Sequence, residues 1–346
     1  MERSRTMAAG MGILKFALAL FLVPLLSGAA PALPYAPAHD GAHDFDFEIG
    51  TWNIAPGGDV HVVHPIWQGK ASIAELLIEH PAPHFAGSLL RLYDPQSRQW
   101  RIYWASSKDG SVDSPLVGAF ANGRGEFSSN AVRVVYSDIT SSSFRMEQST
   151  SADGGKSWRT DPVQTFTRRA PLPQSAVDAT AGGHQHDFDF EFGDWHVHLR
   201  RLVHPLSRSS AWIELDGTSV LYELWNGKAN YGELNVANAT SAIEGLTLRL
   251  YNPVSQQWSI YFVNRRAPEL GTPVVGRFSN GRGEFYDRES FNGKPIAVRF
   301  VFDEITPASF RFVQSFSADA GKTWEPNWIA VFHRKPQGDV DERSHK

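Results

Sequence analysis

The stretch His43-Asp44-Phe45-Asp46-Phe47-Glu48-Ile49-Gly50-Thr51-Trp52 returns as His186-Asp187-Phe188-Asp189-Phe190-Glu191-Phe192-Gly193-Asp194-Trp195, with eight of ten positions identical. Three further blocks recur in the same order. Leu90–Trp100 (LRLYDPQSRQW) answers Leu248–Trp258 (LRLYNPVSQQW), and the NGRGEF of Asn122–Phe127 answers Asn280–Phe285. Ser151–Trp158 (SADGGKSW) answers Ser317–Trp324 (SADAGKTW). Four ordered matches mark a duplicated module. The copies stand 143 residues apart at His43 and His186, 158 at Leu90 and Leu248, and 166 at Ser151 and Ser317. The first copy therefore lacks about fifteen residues near Trp212–Val220 and about eight near Tyr286–Asn292. On that count the second copy is the complete module and the first a trimmed one.

Each copy reads as β. Short alternating runs such as Trp258–Phe262 (WSIYF) and Val298–Phe302 (VRFVF) are rich in aromatic and β-branched residues. Asp94-Pro95, Asn122-Gly123, Asn252-Pro253, Asn280-Gly281 and Asn292-Gly293 punctuate them as turns. Roughly eight to ten strands per copy suit a closed antiparallel barrel, which also removes exposed edges. The fold expected is all-β, two tandem antiparallel barrels. The divisions are a signal peptide over 1–32, a first, trimmed barrel over 41–169, an Ala/Pro/Gly-rich linker over 170–183 and a second, complete barrel over 184–336.

The signal peptide rests on Arg3 and Arg5 ahead of the apolar run Phe16–Leu26, followed by the small residues Ala30-Pro31-Ala32. It implies a periplasmic or secreted protein with no membrane association after cleavage. The chain has 346 residues, a net charge of −4 and no cysteine. Thiol nucleophiles, thiolate zinc sites and disulfides are thereby excluded, and nucleic acid is not an expected partner.

Gly50-Thr51-Trp52 and Gly193-Asp194-Trp195 open the first strand of each copy, and Arg168 or Arg169 and Arg334 close the last. This resembles the calycin (lipocalin-like) superfamily, in which a late basic side chain covers the indole of a Gly-x-Trp. With the LRLY and SADxGK[ST]W blocks, the chain also resembles a secreted bacterial family of unknown function built from tandem calycin-like repeats. The resemblance implies a barrel and supplies no catalytic residues. The SADxGK[ST]W blocks fit the Asp-box, a device that ties a hairpin turn, and their spacing rules out successive propeller blades.

The acidic lead-in, His43 to Glu48 and His186 to Glu191, reads as a polar outer edge in extended chain, and no metal or cofactor is assigned. Candidate ligand-binding residues are polar groups set in apolar strands of the second copy: Glu233, Arg249, Tyr251, Tyr261, Tyr286, Asp287, Arg299, Arg311 and Gln314. Beside the aromatic side chains Trp225, Trp258 and Tyr261, such groups suit an amphipathic or sugar-like small molecule. The expected function is an exported small-molecule-binding protein with its pocket in the second barrel. Two alternatives stand beside it. One is an enzyme with Glu233 or Asp287 as acid or base and Arg249 or Arg299 as anion stabiliser. The other is a structural module of the envelope.

Overall fold

A computed structural model describes residues 40–80, 84–172 and 183–336. The signal peptide and most of the linker lie outside these described residues. The first copy forms β1 (Gly50–Ala55), β2 (Val60–Ile66), β3 (Ala71–Ile78), β4 (His84–Asp94), β5 (Gln99–Ser106), β6 (Leu116–Ala121), β7 (Arg124–Ser128), β8 (Val132–Ser137), β9 (Ser143–Thr150), β10 (Arg159–Thr160) and β11 (Gln164–Arg169). The second forms β12 (Gly193–Leu202), β13 (Trp212–Leu224), β14 (Ala229–Ala237), β15 (Ala242–Asn252), β16 (Gln257–Asn264), β17 (Val274–Ser279), β18 (Arg282–Phe291), β19 (Lys294–Asp303), β20 (Ser309–Ser317) and β21 (Glu325–Arg334).

In the second copy these strands pair antiparallel in chain order, and β21 closes on β12. In the first, β1 to β9 pair in order, and β9 joins β11, which returns to β1. The two-residue β10 lies against the same β9, so β10 and β11 are the halves of one strand. Between them stands Pro162, which has no N–H to give a ladder. Both copies are thus ten-strand barrels, and the all-β expectation holds. The residues missing from the first copy shorten hairpins and leave the wall intact. β12 and β13 run 10 and 13 residues against 6 and 7 in β1 and β2, and β18 and β19 run 10 each against 5 and 6 in β7 and β8.

One end of each barrel is closed by the Gly-x-Trp. Trp52 and Trp195 are fully buried, and each donates its indole N–H to the carbonyl of Glu48 or Glu191 at 2.7 Å. Arg168 lies 4.2 Å above the Trp52 ring, and Arg334 lies 4.1 Å above Trp195. Each guanidinium also donates to backbone carbonyls, Phe47 and Ile49 for Arg168, Phe190 and Phe192 for Arg334. Charge above the π-face and filled donor positions hold strand one to the last strand.

The barrels press together through β3, β4, β14 and β15. Leu246, Leu248 and Leu250 of β15 point outward, but their outward face is covered by the other barrel, where Ile73, Leu90 and Leu92 meet them. That cover explains why an apolar row can face away from the lumen. Two turns with left-handed tryptophans, Trp67 (φ 51) and Trp225 (φ 53), cross the seam. Trp225 N–H donates to Glu75 at 3.1 Å and Trp67 N–H to Glu233 at 3.4 Å, a near-symmetric exchange. Burial there pushes the Glu75 carboxyl up to about 7.

Candidate functional site

A single turn of 3-10 helix sets the base of each lumen, over Asp46–Glu48 and Asp189–Glu191. Its three-residue period turns Phe45 and Glu48 to the same side, as it does Phe188 and Glu191. All four are buried. This corrects the reading of the lead-in as extended chain with its acids outside. His43 and Asp46 stay exposed as a His–Asp pair of 3.0 Å, and their half-buried counterparts His186 and Asp189 pair at 2.9 Å. Among the described residues no cluster of three metal-ligating side chains forms.

Inside, each glutamate meets an arginine from the LRLY block. Glu48 Oε1 accepts from Arg91 Nη2 at 2.9 Å and is hydrogen-bonded to His61 Nε2 at 3.0 Å. Arg91 also lies 4.9 Å from the Phe45 ring centre. In the second barrel Glu191 Oε1 accepts from Arg249 Nη2 at 3.0 Å, and Arg249 Nη1 donates to Asn230 Oδ1 at 3.2 Å. Arg249 packs 4.5 Å over Phe188. Strand register explains the positions. Thr247 and Arg249 alternate with the outward leucines, and Arg249 stands opposite Asn230 across the ladder.

The two carboxyls differ in acidity. Burial raises Glu48, but Arg91 and His61 together outweigh it, and the net shift is downward. Burial raises Glu191 too, and Arg249 alone does not offset it, so its net shift is upward. The counterpart of His61 on β13 is Ser219, which cannot add a second donor of that strength.

Above each base lies a cavity. In the second barrel it holds about 390 Å³ between Leu234, Ile260, Phe300, Phe312 and Trp328, with Glu191, Arg249 and Gln314 as polar lining. In the first it holds about 660 Å³ between Leu76, Leu89, Ile102, Val134 and Met146, with Glu48, His61 and Tyr136 at its base. The larger lumen is therefore in the trimmed copy, against the expectation that the complete copy carries the better pocket. The inward side chains account for it. Phe300, Phe312 and Trp328 stand where the first barrel has Val134, Met146 and Pro162.

Of the nine candidate residues, the structure brings Arg249 and Gln314 to the cavity wall, and Gln314 also donates to Asn327 Oδ1 at 2.8 Å. Tyr251 takes the inward row of β15 but is core, packed 5.4 Å from Trp258. Glu233 and Tyr261, with Trp225, belong to the seam between barrels. Tyr286 is exposed and donates to Glu284 at 2.8 Å. Asp287 lies opposite Val298, outside the cavity lining. Arg299 points outward over Trp324 at 4.5 Å, and Arg311 pairs with Asp303 at 2.9 Å. Glu233 stands opposite Leu246, on the face away from Arg249, and Arg299 faces away from the lumen. Strand alternation therefore keeps Glu233 apart from Arg249, and Asp287 apart from Arg299 on the facing strand.

Sequence reasoning passed over Glu48, Glu191, His61, Tyr136, Ser219 and Asn230. The signal for the glutamates was present, since Phe and Glu recur three apart in both lead-ins.

No known family profile and no curated protein matches the chain. Among solved structures, an S-type phycobiliprotein lyase from Guillardia theta matches 47% of this chain over 99% of its own, at 10% identity and a TM-score of 0.34. A Nostoc punctiforme protein of unknown function from the DUF3598 family matches 85% of this chain over 99% of its own, at 9% identity and a TM-score of 0.28. The transferrin binding protein B of Neisseria meningitidis matches 80% of this chain over 66% of its own, at 7% identity and a TM-score of 0.21.

Proposed function

We propose that the protein is exported and binds a small amphipathic molecule in the lumen of its second barrel, the apolar body against Leu234, Phe300 and Phe312 and the polar head at Arg249. The observation that carries this reading is the base of that lumen. Arg249 lines an apolar cavity with its Nε buried and without a hydrogen-bond partner among the described residues, and Glu191 Oε2 is in the same condition. A buried guanidinium donor left unmet costs free energy that a ligand oxygen recovers. Apolar walls with one polar base suit an amphipath better than a sugar, whose hydroxyls need partners on every side. Export is supported by the apolar run at residues 16–26 and the small residues after it.

Titration with dodecanoate tests the reading. Thr247→Trp, which fills the lumen while keeping both Glu191 and Arg249, abolishes binding, and Arg249→Gln weakens it by about tenfold, the worth of one charge-assisted hydrogen bond. An affinity unchanged in both variants would contradict it.

A further inference from the structure

We infer that the first barrel is a second, separate ligand site, one that takes a bulkier lipophilic molecule with a neutral hydroxyl or amide head. The inference rests on the same lumen-binding principle but on a different cavity and different residues.

Room is the first argument. The first lumen holds about 660 Å³ against 390 Å³ in its sister, and Val134, Met146 and Pro162 replace the bulkier Phe300, Phe312 and Trp328. A void of that size inside a well-packed chain is not demanded by the fold, since the second barrel closes equally well with Phe300 and Phe312 in place.

Polarity is the second. Glu48, His61 and Tyr136 line the base at 1%, 4% and 1% exposure. The second barrel builds the same closed base with Ser219 and Phe302 at the positions of His61 and Tyr136. Closure of the base needs only a serine and a phenylalanine at these positions, so the imidazole and the phenol exceed what the fold requires. Polar groups placed in that way serve recognition.

The head group follows from what those atoms lack. Glu48 Oε2 is buried without a hydrogen-bond partner among the described residues, so the base needs a donor. A hydroxyl or an amide N–H supplies one, and the oxygen of either can accept from the Tyr136 hydroxyl. Charge argues against an anion. Arg91 is fully buried and absent from the lining, whereas Glu48, Asp59 and Asp113 all reach it. In the second barrel Arg249 itself reaches the lining, beside Glu191 and Glu289, and the Asp113 position is Gly271. An incoming carboxylate finds a guanidinium to pair with in the second lumen and none in the lining of the first.

Hexadecan-1-ol and hexadecanoate, delivered from cyclodextrin and titrated calorimetrically, test the inference. The protein used is the full chain carrying Thr247→Trp, so that only the first lumen is open. The alcohol binds at least about tenfold more tightly than the carboxylate. Adding His61→Ser with Tyr136→Phe, the residues the second barrel already folds with, removes that preference and weakens alcohol binding by about tenfold. Leu89→Trp abolishes it, with near-ultraviolet circular dichroism confirming an intact barrel. Alcohol binding that is absent, that survives Leu89→Trp, or that keeps its preference in the His61/Tyr136 double variant overturns the inference. Those results leave dodecanoate binding at Arg249 untouched, so the two readings fail separately.

Discussion

The two lumens share a base and differ in what stands over it. Both rest on a glutamate from a 3-10 turn, an arginine from the LRLY block and a phenylalanine beneath the guanidinium. In the first barrel a histidine adds a second partner to one carboxylate oxygen and a tyrosine interacts with the arginine; in the second, serine and phenylalanine take those positions and the arginine reaches the cavity. The blocks that survived duplication nearly unchanged, Gly-x-Trp and its arginine among them, close the ends and tie the turns. The inward positions are where the copies diverged. Divergence inside a preserved frame is what two ligand specificities require.

The strongest way to break this comparison is to remove the glutamates. Glu48→Leu leaves Arg91 fully buried with no counter-charge and should destabilise the protein by about 3–5 kcal/mol. Glu191→Leu should cost less by at least about 1 kcal/mol, because Arg249 keeps Asn230 and reaches the cavity. Urea denaturation measures both, and equal losses would show that the bases are energetically the same. The pH dependences oppose each other. Glu48 is lowered on folding, so it contributes stability above its unfolded pKa that is lost as pH falls through the folded one. Glu191 is raised, so its contribution is present below the unfolded pKa and lost as pH rises through the folded one. Hydrogen exchange across acid pH should therefore loosen β1 to β4 before β12 to β15.

The seam supplies the next effect. Glu75 moves from its ordinary range up to about 7 on folding, so its ionisation opposes docking of the barrels. Its contribution is complete below the ordinary carboxylate range and is lost as pH rises through about 7, on the order of 3 kcal/mol in all. Glu75→Gln keeps an acceptor for the Trp225 N–H and should flatten that pH dependence between pH 5 and about 8. A slope that persists in Glu75→Gln places the titration elsewhere.

Much of the barrel frame is legible in the chain itself. The repeat, the alternation and the Gly-x-Trp with its late arginine all lead to closed barrels, because each is a local pattern with one geometric outcome. The candidate site was less legible. Alternation told which side chains share a face but not which face looks inward, and the leucines of β15 face outward only because a second barrel covers them. Glu233 and Tyr261 were misplaced for that reason. Glu48 was missed because the period of the lead-in is three and not two. The sizes of the hairpins misled about the pocket, since hairpin length does not set the width of a lumen, whereas inward residues such as Val134 and Phe300 do.

The smallest effect sharpens that last point. Val134→Phe with Met146→Phe gives the first barrel the second barrel's wall. The cavity has room for both rings, so stability should change by no more than about 1 kcal/mol while binding of hexadecan-1-ol falls. A larger loss of stability would mean that the lumen is less open than 660 Å³ implies.

The claim that one chain holds two independent sites is tested most directly by native mass spectrometry of the full protein with hexadecan-1-ol and dodecanoate together. The account predicts a species carrying one molecule of each, with the alcohol lost in Leu89→Trp and the carboxylate lost in Thr247→Trp. Mutual displacement of the two, or a single variant that removes both, would contradict it.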